Sequence, residues 1–200
     1  MTVQPESVLD FWFGPSGSAT DIAGRQGKLW FGKSPANDQA VIDRFSPTLI
    51  AATSGQLVHW ADTPRSRLAQ VIVLDQFPHH IHRDLPQAFA TDPQALALSL
   101  DALAAKEDRL LTPIERVFLY LPLEHAESVT MQEQSVALYE QLALEATADE
   151  RALFDDFLNY ARQHRDVVAR FGRFPHRNAI LGRPSTADEL EFLKQPGSRF

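Results

Sequence analysis

The chain has no cysteine among its 200 residues. That excludes disulfides, thiolate metal sites, iron–sulfur clusters and a cysteine nucleophile. It also lacks an excess of basic charge: the formal net charge is −7, so no nucleic-acid partner is expected on global electrostatics. Long apolar runs are missing. The longest aliphatic one, Val71-Ile72-Val73-Leu74, is far too short to cross a bilayer, and no transmembrane segment is expected. The N-terminus has no basic stretch leading into an apolar one, so no secretory leader is expected and a cytoplasmic location is the default. Gly-x-Ser-x-Gly, a phosphate-binding Gly-rich loop and His-Glu-x-x-His are all absent. Nothing names a cofactor or fixes an oligomeric state.

What is present reads as helix nearly everywhere. Hydrophobic residues are 44% and charged residues 22% of the chain, the balance of one globular domain over 1–200. Thr63-Pro64 opens a helix to about Phe77, stopped by Pro78. Asp92-Pro93 opens another to about Ala105. Thr112-Pro113-Ile114-Glu115 combines an N1 proline with a capping box, and Thr130-Met131-Gln132-Glu133 reads as a second box leading to about Ala146. A helix from about Glu150 to Arg170 follows, and Thr186-Ala187-Asp188-Glu189 starts a short terminal one. Pro5 to Phe13, Asp38 to Ala52 and Gln56 to Ala61 also look helical, whereas Gly and Ser near 14–27 read as a loop. No strand-like alternation is flanked by a hairpin turn, and the fold class is all-α.

Three of these helices carry an ionisable residue on the apolar stripe. Leu68, Val71 and Ile72 lead at i+7 to Asp75. Ile114, Val117, Phe118 and Leu121 lead past Pro122 to His125. Phe154, Phe157, Ala161 and Val168 enclose His164. Each alone is a satisfied core polar group; the three together, with Glu124, are candidate acid–base residues of a shared site. Asp75 is expected to be buried and bonded to an Arg or His. After the last long helix, Arg170-Phe171-Gly172-Arg173-Phe174-Pro175-His176-Arg177-Asn178 runs on to Gly182-Arg183. Arginine forks bind carboxylate and phosphate, and Phe, Pro and Gly fix where the forks point. Arg173, His176, Arg177, Asn178 and Arg183, with Arg116, are the candidate anion-binding residues. Arg173 or Arg177 is expected near Glu124–His125. Glu124-His125-x-Glu127 lacks a second Glu-x-x-His, so no metal site is expected. His79, His80 and His82 are read as solvated loop histidines, and Val8 to Phe13 as a helix that closes the core.

Leu74-Asp75-Gln76-Phe77-Pro78, Ala90-Thr91-Asp92, Glu115-Arg116 with Tyr120, Leu123-Glu124-His125 and the Arg170–Arg183 segment together resemble the bacterial family catalogued as domain of unknown function 924. The likeness begins at Phe11-Trp12-Phe13-Gly14 and spans nearly the whole chain. It implies a helical array of the tetratricopeptide-like superhelix kind and carries no established reaction. His79-His80 stands where that family usually has Arg-Asn. Two functions follow as expectations: a buried site for a small phosphate- or carboxylate-bearing ligand, with acid–base capacity, or a tetratricopeptide-like module that grips a peptide terminus. A third reading makes the polar motifs caps and staples only.

Overall fold

The computed structural model describes residues 3–198. Ten α-helices follow one another among these: α1 (Pro5–Phe13), α2 (Ala19–Trp30), α3 (Pro35–Thr53), α4 (Pro64–Asp75), α5 (Phe77–Ile81), α6 (Asp92–Ala104), α7 (Pro113–His125), α8 (Val129–Glu145), α9 (Arg151–Phe171) and α10 (Ala187–Phe192). Short 3-10 turns lie at Val58–Asp62, Pro86–Phe89, Glu107–Leu110 and Pro175–Arg177. No strand occurs among the described residues, and no helix there is long and apolar enough to cross a membrane.

Proline sets most of the starts. It sits in the first turn of α1, α3, α4, α5, α6 and α7, where its fixed φ is already helical and its missing N–H costs nothing. At α7, Glu115 closes the expected box: the Thr112 N–H donates to its carboxylate at 2.8 Å. Gly172 ends α9 with φ +70°, a conformation that strains a residue bearing Cβ, and its N–H closes on the Val168 carbonyl at 2.8 Å.

Three expectations need correction. The segment read as a loop at 14–27 contains most of α2. Ser18 and Asp21 form a reciprocal cap there, an Asp version of the box, and the buried Ile22 and Trp30 hold the helix despite Gly24 and Gly27. Residues Gln56 to Ala61 give only the turn Val58–Asp62. The box at Thr130 does not form: α8 starts at Val129 after Ser128. Gln132 turns inward instead, and its amide donates to the carbonyls of Glu124 and Ala126 at 2.6 and 2.8 Å, satisfying the end of α7.

Helix α4 is the hub and packs against α1, α3, α6 and α7. Its stripe meets an aromatic cluster in which Phe45 stacks on Phe77 at 4.6 Å and Trp30 meets Phe118 at 4.7 Å. Trp12 lies fully buried between Phe77 and Phe118, so α1 does close the core. Helices α8 and α9 pair along their lengths. A second, small cluster of Val167, Val168 and Phe174, backed by Phe171 and Phe192, seats the C-terminal segment. Because α4 and α7 end, and α6 begins, at the same place, their terminal residues meet.

Candidate functional site

Asp75 is the last residue of α4 and fully buried. A carboxylate is ill placed at the negative end of a helix dipole. It is held there by His125, the last residue of α7, whose Nδ1 lies 2.9 Å from Asp75 Oδ1. The Gln76 amide also donates to Asp75. Burial pushes the Asp75 carboxyl up, but the His125 charge and hydrogen bond outweigh it and hold it below the usual carboxylate value. Burial likewise pushes His125 down, and Asp75 outweighs it, raising the imidazole above its ordinary value. Each partner thus favours the charged form of the other, and His125 is the half-buried member of the pair.

A second charged pair lies beside it. Asp92, at the start of α6, accepts from Arg177 Nη1 at 3.2 Å. Arg177 is buried, with its guanidinium carbon 4.7 Å from the Phe89 ring centre and 4.6 Å from that of Phe174. Burial pushes Asp92 up to about 6 in spite of Arg177. His79, from α5, stands 5.7 Å ring to ring from His125 and 5.3 Å from Phe89. Burial, with the neighbouring His125 charge, lowers its pKa to about 3, so it is neutral. Three buried polar atoms in this group have no hydrogen-bond partner: Arg177 Nε, Asp92 Oδ1 and His79 Nε2.

A third pair lies deeper. His164 Nδ1 is 3.0 Å from Glu124 Oε1, a spacing that would suit an ion pair, but burial drives both groups neutral. Glu124 is pushed up to about 8 and His164 down to about 3. The neutral state also fits the geometry. His164 Nδ1 lies 2.9 Å from the Tyr160 carbonyl, which only accepts, so that nitrogen carries the ring proton. Tyr139, which lies beside Glu124, donates to the Val117 carbonyl at 3.0 Å.

The structure thus gathers Asp75, Glu124, His125, His164 and Arg177, from four elements. His176 stands at the margin, its ring 5.6 Å from Phe174. The other expected anion binders lie apart and hold carboxylates of the protein itself. Arg173 grips the buried Glu189 through Nε and Nη2 at 2.7 and 2.9 Å. Arg183 grips Glu127 at 2.6 and 2.9 Å and donates to Asn178 at 3.0 Å. Asn178 donates to Ser185 and Glu189 at 3.1 and 3.3 Å. Arg116, one helix end away, pairs with Glu145 at 2.6 Å and Tyr120 at 2.9 Å.

Helix-start and loop patterns mark Asp92 as a helix opener and His79 as a loop histidine; the family resemblance adds that Asp92 closes the motif Ala90-Thr91-Asp92 and that His79 stands where relatives usually have Arg. A carboxylate that opens a helix just before a proline, as Asp92 does before Pro93, carries no signal separating a helix-start charge from a site residue. The three histidines after Phe77 in fact diverge: His79 faces the cluster, His80 bonds Asp38 at 2.8 Å, and His82 lines a groove with Ile50, Pro78 and Thr91. That groove includes Pro78 and Thr91, the chain neighbours of His79 and Asp92, whereas a shallow concavity lies among Ser18, Asp21 and Glu150; the cluster itself reaches the surface at the half-buried His125, His79 and Asp92. Among the described residues no group of side chains is arranged to hold a metal ion.

No curated protein matches the sequence. A solved structure of a protein of unknown function from Agrobacterium tumefaciens is similar, at 34% identity and a TM-score of 0.80, over 95% of this chain and 96% of that one. Residues 8–197 match the model of a family described as bacterial proteins of unknown function, DUF924. An all-helical chain with these helix-end motifs, matched over nearly its whole length, belongs to the DUF924 family.

Proposed function

We propose that the cluster at the ends of α4 and α7 binds a small anionic ligand bearing a carboxylate or phosphate group, with His125 as its proton donor. One observation carries this reading: Arg177 Nε, Asp92 Oδ1 and His79 Nε2 are buried without partners around a single charged imidazole. Orphaned buried polar atoms are rare in native proteins, and three together call for a polar occupant, water or ligand. Asp75 fixes the His125 tautomer and charge, leaving the Nε2–H free to donate. The Glu124–His164 pair, neutral and deeper, supports α7 and α9 beneath the site. A tetratricopeptide-like groove for a peptide terminus would need such groups on an open concave face; the burial of Asp75, Glu124 and Arg177 favours a small molecule.

The test is calorimetric titration of the full-length protein with acetate, benzoate and inorganic phosphate. At least one is expected to bind saturably at one site. Arg177→Gln should abolish that binding, and Arg173→Ala should leave it intact. No saturable binding by any of the three, or equal binding by Arg177→Gln, contradicts the proposal.

A further inference from the structure

We infer that the group taken up at Arg177 is the carboxylate of a small, partly apolar acid rather than a phosphate, an inference that rests on the ligand reading above and narrows it. The argument begins with how Arg177 is held. Nη1 is committed to Asp92 at 3.2 Å, and Nε is buried without a partner. The guanidinium lies against two ring faces, Phe89 from the turn before α6 and Phe174 from the C-terminal segment. Aromatic faces carry the negative lobes of the ring quadrupole, so they attract the cation and repel anionic oxygens placed over them. The favourable place for a ligand oxygen is therefore in the guanidinium plane, on the Nε side.

A carboxylate meets that requirement, because its two oxygens are coplanar and approach a guanidinium edge side-on. A tetrahedral phosphate holds oxygens out of the plane and turns at least one toward a ring face. Charge leads the same way. The two cations of the cluster, His125 and Arg177, already face Asp75 and Asp92. A monoanion adds one uncompensated charge to this balanced, buried set, and a phosphate dianion adds two. Phe89 and Phe174 also offer apolar surface to the hydrocarbon part of an acid.

Arginine side-chain NMR of the full-length protein, titrated with acetate, benzoate and inorganic phosphate at matched ionic strength, tests the inference. The Nε–H resonance of Arg177 is identified by its loss in Arg177→Lys. Both carboxylates should shift it saturably, benzoate at lower concentration than acetate, and phosphate should not. Arg177→Lys keeps the charge but lacks the flat edge, and should weaken benzoate binding by about tenfold or more. Phe89→Leu removes one ring face and should narrow the preference for benzoate over phosphate; it also keeps the comparison available should the lysine variant fail to fold. Phosphate binding as tightly as benzoate would overturn the carboxylate assignment while leaving the site reading intact. Equal affinity for acetate and benzoate would overturn the apolar part. If no probe moves an arginine Nε resonance, both readings fall.

Discussion

Glu124, in the interior, and Asp92, at the half-buried rim of the cluster, are both carboxyl groups lifted by burial, and they differ in their neighbours. Glu124 faces a neutral His164 and a tyrosine, and burial lifts it to about 8. Its folded pKa lies above the unfolded one, so the native state holds a proton that the unfolded chain loses above the ordinary carboxylate range. Stability contributed this way is present at low pH and falls as pH rises toward about 8. Glu124→Gln mimics the protonated form. It should stabilise the protein at pH 8, on the order of 2–3 kcal/mol by thermal unfolding, with little effect near pH 4. A variant less stable than wild type at pH 8 would mean that Glu124 is ionised and paired with His164. Asp92 faces Arg177, with Asp75 and His125 also in range, and reaches about 6. A bound anion competes for Arg177 and raises Asp92 further, so binding draws in a proton. Affinity should increase by about tenfold between pH 7.5 and 5.5, and Asp92→Asn should remove that dependence.

Helix ends explain why the site sits where it does and why part of the Arg-rich segment does not join it. Asp75, His125 and Asp92 are the last, last and first residues of α4, α7 and α6, so the cluster is built from termini that packing of the helices brings together. Arg173, Arg183 and Asn178 serve a different joint. They tie the segment after α9 to α10 and to Glu127, and Glu127 also accepts from the Phe174 N–H at 2.8 Å. Arg173 holds Glu189 down to about 2. Arg173→Ala leaves that buried carboxylate with the Thr186 N–H at 2.7 Å and Asn178 at 3.3 Å, and should lower the melting temperature. Glu189 has a depressed folded pKa, so this contribution exists above the ordinary carboxylate range and disappears toward pH 2. The thermal difference between wild type and variant should therefore shrink in acid. The helix periods of α4, α7 and α9 made Asp75, His125 and His164 legible in the sequence, because an ionisable residue interrupts each apolar stripe. Arg173 and Arg177 could not be told apart: both stand on the same Phe-Gly-x-Phe-Pro turn, and only the carboxylate each meets, Glu189 or Asp92, assigns one to a staple and the other to the cluster.

Across the whole molecule, the all-helical class was readable from period and capping alone, while α2 was not, because its cap is an Asp box and two glycines dilute its pattern. The charged pairings that make the site join residues 50 and 85 positions apart, Asp75 with His125 and Asp92 with Arg177; no local pattern encodes them. The net charge of −7 likewise conceals a cluster in which two cations and two anions balance locally. The central claim is that His125 is the charged, ligand-facing imidazole of that cluster, while His79 and His164 are neutral. Nitrogen-resolved NMR of the histidine rings at pH 7, with and without benzoate, tests it most directly. His125 should be doubly protonated, His79 and His164 should be neutral with the His164 proton on Nδ1, and benzoate should shift His125 and His79 but leave unmoved His59, which is exposed in the turn Val58–Asp62. A neutral His125, or benzoate shifts that spare both His125 and His79, would contradict the account.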